Sequence, residues 1–167
     1  EAVRKEIPYV ILEASSIGLQ KHRLDYCDID AGVFLNVTED HLEEHGSFEN
    51  YKLAKQILVT LAKQVIVNGD DAICRSIGFT KKGKRKFFGK GQHVDYFYQA
   101  IYEGNANTTC LVQHKDEKYV VHIPLVGDYQ CANVLAAIST LAQVGFPLEQ
   151  LCRDSETLTL PEGRFER

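Results

Sequence analysis

Ala31-Gly-Val-Phe-Leu-Asn36 is an apolar run that passes directly into the polar stretch Val37-Thr-Glu-Asp-His41. An unbroken apolar run of this kind, without the alternation of a half-exposed strand, predicts a strand buried on both faces of a parallel sheet. Ligands in open α/β sheets bind beyond the carboxyl ends of such strands, so the polar stretch falls where a site is expected. A second apolar run, Tyr9-Val-Ile-Leu12, leads into Glu13-Ala-Ser-Ser16 in the same manner. Read as a neighbouring strand, it brings a carboxylate tip beside an imidazole tip, within reach of one cation.

Working outward, Ser47 is placed to cap a helix from Phe48 to about Ala62, and Gln64-Val-Ile-Val-Asn68 follows as the next buried strand. From Lys86 onward the runs shorten and fill with aromatic and β-branched residues: Lys86-Phe-Phe88, Tyr96–Tyr102, Thr108–Val112 and Tyr119–Ile123. These predict an antiparallel or mixed section. A last helix is predicted from about Tyr129 to Val144, stopped by Gly145-Phe-Pro147. The expected fold class is therefore α/β, a mainly parallel sheet flanked by helices with a smaller antiparallel β portion. Its α/β core is expected over about residues 1–80 and 125–160, and the β-rich section over about 84–124.

At 167 residues, 44% hydrophobic and 25% charged, the chain has material for one well-buried core. A net charge of −4 and a pI near 5.9 argue against nucleic acid or an anionic membrane as partner. The basic run Lys81-Lys-Gly-Lys-Arg-Lys86 has no interleaved aromatic residue for base stacking, and is expected to be a solvated loop or hairpin. Five cysteines, odd in number and without Cys-x-x-Cys spacing, point to a reduced, cytoplasmic compartment. No apolar run approaches the roughly 18 residues of a membrane span. The absence of methionine, even at position 1, suggests a segment of a longer protein.

The order Glu13-Ala-Ser-Ser16, Arg23, Asn36-Val-Thr-Glu-Asp-His41, His45-Gly46, Tyr51 with Lys55, Asn68-Gly-Asp-Asp71, Asn133-Val-Leu-Ala-Ala137 and Gly163-Arg-Phe-Glu166 resembles the central, ATP-binding domain of the Mur ligases. Within that family the pattern is most similar to the tripeptide synthetases. The resemblance covers nearly the whole chain and implies an enzyme that activates a UDP-N-acetylmuramyl-peptide carboxylate with ATP as an acyl phosphate, then adds an amino acid. It implies ATP and Mg2+ as cofactors, and the parent's other domains as partners. Residues 161–167 would begin a hinge to the C-terminal domain.

The same resemblance assigns residues. Glu13 would hold a first magnesium, and His41, oriented by Asp40, would help hold a second. Lys55 would react with carbon dioxide to become a carbamate, a change from cation to anion that supplies oxygens for magnesium. Tyr51 lies one turn before it on the same helix face. Ser15, Ser16 and Arg23 would contact the UDP-sugar peptide, Asn133 the adenine, and Arg164 the nucleotide near the hinge. Each position also has an ordinary structural use: a surface carboxylate for Glu13, an exposed imidazole for His41, a solvated amine for Lys55, a cap or ion pair for Ser15, Ser16 and Arg23, and a helix-start amide for Asn133. His45 is read either as shaping its loop or as a plain turn residue.

Departures from the family pattern qualify the resemblance. Ile17 stands where the tripeptide synthetases commonly have histidine, and Gln130 where the adenine motif commonly has a first asparagine. The 167 residues contain no glycine-rich loop ending in Lys-Thr or Lys-Ser, so the phosphate-loop segment is missing and this stretch alone is not expected to catalyse ligation. An apolar face left open by that segment would favour self-association. The alternatives are a cyanophycin-synthetase-like or folylpolyglutamate-type ligase, or a non-catalytic nucleotide-binding or scaffolding module.

Overall fold

The computed structural model describes residues 7–38 and 42–159. Six strands form one sheet whose order across the sheet is the order along the chain: β1 (Ile29–Phe34), β2 (Ala62–Asn68), β3 (Arg85–Gly89), β4 (Tyr96–Glu103), β5 (Thr108–His114) and β6 (Glu117–Ile123). Neighbours from β1 to β4 are parallel, and β4, β5 and β6 are antiparallel. A mainly parallel sheet with a smaller antiparallel portion is as predicted, whereas β3, read as part of the β-rich antiparallel or mixed section, pairs in parallel on both sides. Helix α1 (Ser16–Gln20) precedes β1, α2 (Leu42–His45) and α3 (Phe48–Leu61) join β1 to β2, and α4 (Ala72–Phe79) joins β2 to β3. Helices α5 (Asp128–Gln143) and α6 (Leu148–Asp154) follow β6.

The second strand shows why the apolar runs are unbroken. Val65, Ile66 and Val67 in β2 are all fully buried, yet they point alternately into two cores. Val65 and Val67 join Phe34, Leu58 and Ile77 beneath α3 and α4, while Ile66 joins Phe88, Tyr98 and Leu135 beneath α5. Right-handed crossovers through strands taken in the order 1-2-3 put α3 and α4 on one face. That leaves the opposite face for α5. Contact between α3 and β1 depends on Gly32, where a Cβ would lie 3.0 Å from Leu58 Cγ and 3.1 Å from the Ala62 methyl.

Parallel neighbours ordinarily need a crossover of about a dozen residues, but β3 and β4 are joined by residues 90–95 alone. The short link suffices because β4 begins beside the end of β3, pairing only Phe88 with Tyr96 and Gly89 with Phe97, and then runs onward. Asp95 fastens this junction: its N–H donates to the Phe87 carbonyl at 2.8 Å, and its carboxylate accepts from Phe87 N at 2.8 Å and Lys86 Nζ at 2.7 Å. Beyond it, β4 to β6 meander with one face buried; Val121 and Ile123 point inward while Val120 and His122 point outward.

Two sequence expectations need correction. Tyr9–Leu12 forms no strand: it joins no ladder, and its side chains are exposed, Ile11 by 95%. Apolar composition favours a strand only where a neighbouring backbone supplies hydrogen bonds, and among the described residues β1 pairs with β2 alone. The basic run is not a solvated loop throughout. Lys81 Nζ donates to the carbonyls of Val59 and Ala62 at the end of α3, and Arg85 lies in β3 with its guanidinium 5.4 Å from the Phe79 ring centroid. Helix α4 was not foreseen; Asp71 caps it, its carboxylate accepting from Ile73 N at 2.9 Å and Cys74 N at 2.7 Å. Among the described residues, no helix is long and apolar enough to cross a membrane.

Candidate functional site

Helix α3 carries the centre of the site. Ser47 caps it, accepting from Asn50 N at 3.2 Å, and sets the phase that places Tyr51 and Lys55 on one face. Tyr51 is buried, and the partly buried Lys55 amine lies 5.8 Å from its ring centroid. Lys55 Nζ donates to the Ala14 carbonyl at 3.4 Å, which brings the Glu13–Ser16 segment against α3. Burial lowers the Lys55 pKa from its ordinary 10.5, while the nearby Glu13 carboxylate, and more weakly Cys74, act in the opposite sense. The structure thus brings the Glu13–Ser16 segment against Lys55 through the Ala14 carbonyl, with the exposed Glu13 carboxylate near enough to act on the amine, although Glu13 belongs to no strand.

The two serines face different ways. Ser15 is exposed and caps α1, its hydroxyl accepting from Gly18 N at 3.1 Å. Arg23, also exposed, approaches the same glycine: a Cβ at Gly18 would lie 2.9 Å from Ser15 Oγ and 3.9 Å from Arg23 Cδ. Ser15 and Arg23 therefore share one exposed surface. Ser16 is buried, and its hydroxyl lies 2.9 Å from His45 Nε2. The His45 ring in turn packs against Tyr51, with centroids 5.4 Å apart.

Asn133 is exposed on α5, on the opposite face of the sheet from α3, and its amide donates to Gln130 Oε1 at 3.4 Å. It does not join the Lys55 group. Asp40, His41 and Arg164 lie outside the described residues. Among the described residues, no three His, Cys, Asp or Glu side chains converge as a metal-binding group.

Sequence reasoning missed a second polar assembly, at the tips of β2 and β3. Asn68 Nδ2 donates to the Leu35 carbonyl at 2.8 Å, and Asn68 Oδ1 accepts from Asp70 N at 2.9 Å. The Asp70 carboxylate accepts from Lys90 N at 2.7 Å and Gly91 N at 3.0 Å. It passes so close to Gly89 that a Cβ there would lie 2.6 Å from Asp70 Oδ2, and Gly89 has φ +148°. Lys90 Nζ pairs with Asp128 at the start of α5 and stands 5.3 Å from the Tyr98 ring centroid. The signal available was Asn68-Gly-Asp-Asp71 set against Gly89-Lys-Gly91.

Fold and local geometry together define an α/β domain in which the Lys55 amine meets the Glu13–Ser16 segment beside α3. The chain belongs to the Mur ligase middle domain family, whose model matches residues 1–141. It is 34% identical over 159 residues to UDP-N-acetylmuramoyl-L-alanyl-D-glutamate–2,6-diaminopimelate ligase 2 of Clostridium acetobutylicum, covering 93% of this chain and 32% of that one. Identity to the corresponding ligase of Caldanaerobacter subterraneus is 32% over 165 residues, covering 98% and 34%. The chain thus spans about a third of the length of these relatives. A solved structure of a ligase of the same name superposes with a TM-score of 0.84 at 30% identity, covering 92% of this chain and 33% of that one. The Thermotoga maritima MurF ligase, solved in complex with ADP, shares the fold with a TM-score of 0.73 at 22% identity, over 86% of this chain and 34% of that one.

Proposed function

We propose that this chain is the central part of a cytoplasmic, ATP-dependent ligase that adds an amino acid to a UDP-N-acetylmuramyl peptide during peptidoglycan precursor synthesis. Family membership and the similarity to diaminopimelate ligases support this reading. The observation that carries it to particular residues is the contact of the partly buried, pKa-lowered Lys55 amine with the Ala14 carbonyl, next in the chain to Glu13.

In the proposed reaction the peptide carboxylate attacks the γ-phosphorus of ATP, releasing ADP and leaving an acyl phosphate. The incoming amine then attacks the acyl carbon; phosphate leaves as the amide forms, and the amine gives up a proton. Catalysis of this kind rests on positioning and charge neutralisation. Magnesium, when bound, supplies that neutralisation to the phosphate oxygens. The residues fit it through Glu13, waters and a modified Lys55, because magnesium takes few protein ligands and keeps several waters. Only a neutral amine combines with carbon dioxide, and desolvation favours that form. Lys55 as its carbamate would then be an anion in the neighbourhood of Glu13, and a bound cation would offset the charge of both.

Ser15 and Arg23 are proposed to meet the UDP-sugar peptide at their shared exposed surface, the guanidinium offering paired donors to carboxylate or phosphate. Ser16 is assigned an indirect part, since its hydroxyl is already engaged and buried. Asn133 offers an amide to adenine from α5, and His41 and Arg164 keep the roles implied by the family resemblance.

The test is ATP-dependent ligation by the full-length protein containing this chain. UDP-N-acetylmuramyl dipeptide and a panel of amino acids are supplied, and ADP, phosphate and product mass are followed. Turnover that is lost in Lys55→Ala and Glu13→Ala supports the proposal. Absence of turnover by folded, magnesium-loaded protein would overturn it.

A further inference from the structure

Ser16 and His45 form a buried pair, 5% and 6% exposed, between parts of the chain distant in sequence. A serine and a histidine 2.9 Å apart resemble the start of a nucleophilic catalytic set. Enclosure argues against that role, because a buried hydroxyl meets no substrate. Nor does any described residue orient the ring from the far side: His45 Nδ1 has no hydrogen-bond partner among the described residues. Leaving such an atom unmet is unfavourable, so the ring is retained for what its other contacts secure.

Those contacts lead to Lys55. The main chain of His45 is fixed to the start of α3, its carbonyl accepting from Asn50 Nδ2 at 3.0 Å. Gly46, with φ +72°, turns the chain between α2 and the Ser47 cap. The imidazole packs on Tyr51, whose ring lies beneath the Lys55 amine. Its Nε2 reaches Ser16, two residues beyond the Ala14 carbonyl that Lys55 itself contacts. One short stretch of chain is thus held at two points, to α3 through Lys55 and to the end of α2 through His45. The Lys55 contact, at 3.4 Å from a partly exposed amine, is the weaker; the enclosed Ser16–His45 bond, in a low-dielectric setting, is the stronger.

We propose that His45 is a positioning residue which, by bonding Ser16 while packing on Tyr51, fixes how the Glu13–Ser16 segment sits against Lys55. The inference rests on the reading of Glu13 and Lys55 as the charged pair of the ligase site. It assigns Ser16 a use other than contact with the peptide substrate.

The experiment uses the full-length protein with His45→Gln, His45→Phe, Ser16→Ala and the Ser16→Ala/His45→Phe pair. Glutamine retains a donor near the Nε2 position, whereas phenylalanine retains the ring packing without the hydrogen bond. Two quantities are read: the magnesium concentration for half-maximal ligation, and the carbonyl resonance of a Lys55 carbamate after equilibration with 13C-bicarbonate, without nucleotide or metal. His45→Phe and Ser16→Ala are each expected to raise the magnesium requirement about tenfold, the factor for one lost hydrogen bond. Both should weaken the carbamate resonance, leave the KM for ATP within about twofold, and combine without a further effect, as members of one contact do. His45→Gln should restore most of both signals.

Variants that lose thermal stability while keeping the wild-type carbamate resonance and magnesium dependence would overturn the proposal, leaving His45 a purely structural residue. Should the wild type form the carbamate but ligate nothing, the ligase reading falls. The positioning role is then decided by whether His45→Phe abolishes the resonance. A wild type with neither signal overturns both.

Discussion

The parallel and antiparallel halves of the sheet solve the same burial problem differently. In the parallel half, α3 and α4 cover one face and α5 the other, so the stretch Val65–Val67 of β2 is apolar at every step. Each crossover also brings distant sequence to the sheet, which is how Ala14 comes to meet Lys55. In the antiparallel half, tight turns return the chain at once; one face packs on α5 and α6, and Val120 and His122 remain outside. Candidate site residues gather in the half built from long connections. The meander supplies a wall for α5.

The sharpest way to test this contrast is to truncate one side chain covered by a helix in the parallel half and one on the open face of the meander. Ile66→Ala, at a fully buried position of β2, is expected to destabilise by about 2–5 kcal/mol. Val120→Ala, at a position 56% exposed on β6, should stay within about 0.5 kcal/mol. Urea unfolding of the two variants measures both, and equal losses would erase the distinction. Gly32→Val attacks the close approach of α3 to β1 and is expected to cost about 1–3 kcal/mol through overpacking. If its midpoint matched the wild type, the approach would be less confining than the distances imply.

A smaller effect separates the halves by pH. Burial lowers the Lys55 pKa below 10.5, so between the folded value and 10.5 the unfolded chain holds more protons and stability rises with pH. Lys55→Met removes a desolvated cation. In carbon-dioxide-free buffer it should raise the urea midpoint near neutrality, and the advantage should fade as the pH approaches 10.5. A gain unchanged by pH would assign the effect to packing alone.

The smallest effect belongs to the meander. His114 pairs with Glu117 across a two-residue turn, and Lys115 there has φ +54°, the sign that a II′ turn gives its first central residue. Lys115→Gly is expected to stabilise by roughly 0.5 kcal/mol, the left-handed strain relieved exceeding the added chain entropy. A lower thermal midpoint would contradict it.

What could be read from the sequence follows the same division. Gln64-Val-Ile-Val-Asn68 is legible because a strand covered on both faces excludes polar residues, and α3 because Ser47 marks its start. Aromatic and β-branched runs likewise expose β4 to β6. Tyr9–Leu12 carries the same composition without a ladder, since pairing depends on neighbours that composition does not encode. Lys55 and Glu13 were legible as separate motif members, and the structure adds their proximity. The Ser16–His45 bond spans 29 positions, and the Asp70 contacts with Lys90 and Gly91 span 20 and 21, so no local pattern announces either.

Strand order equal to chain order has a consequence for how the sheet is made. During synthesis, at about 5–20 residues per second, each new strand from β2 to β6 adds to the edge left by its predecessor. None must wedge between two strands already paired. The face carrying Ile66, Phe88 and Tyr98 nevertheless stays wet until α5 arrives with Leu135. A nascent chain ending at Pro124 should therefore bind a hydrophobic dye that the 167-residue chain excludes. Equal dye binding by both would show that the face is dry before α5 is made.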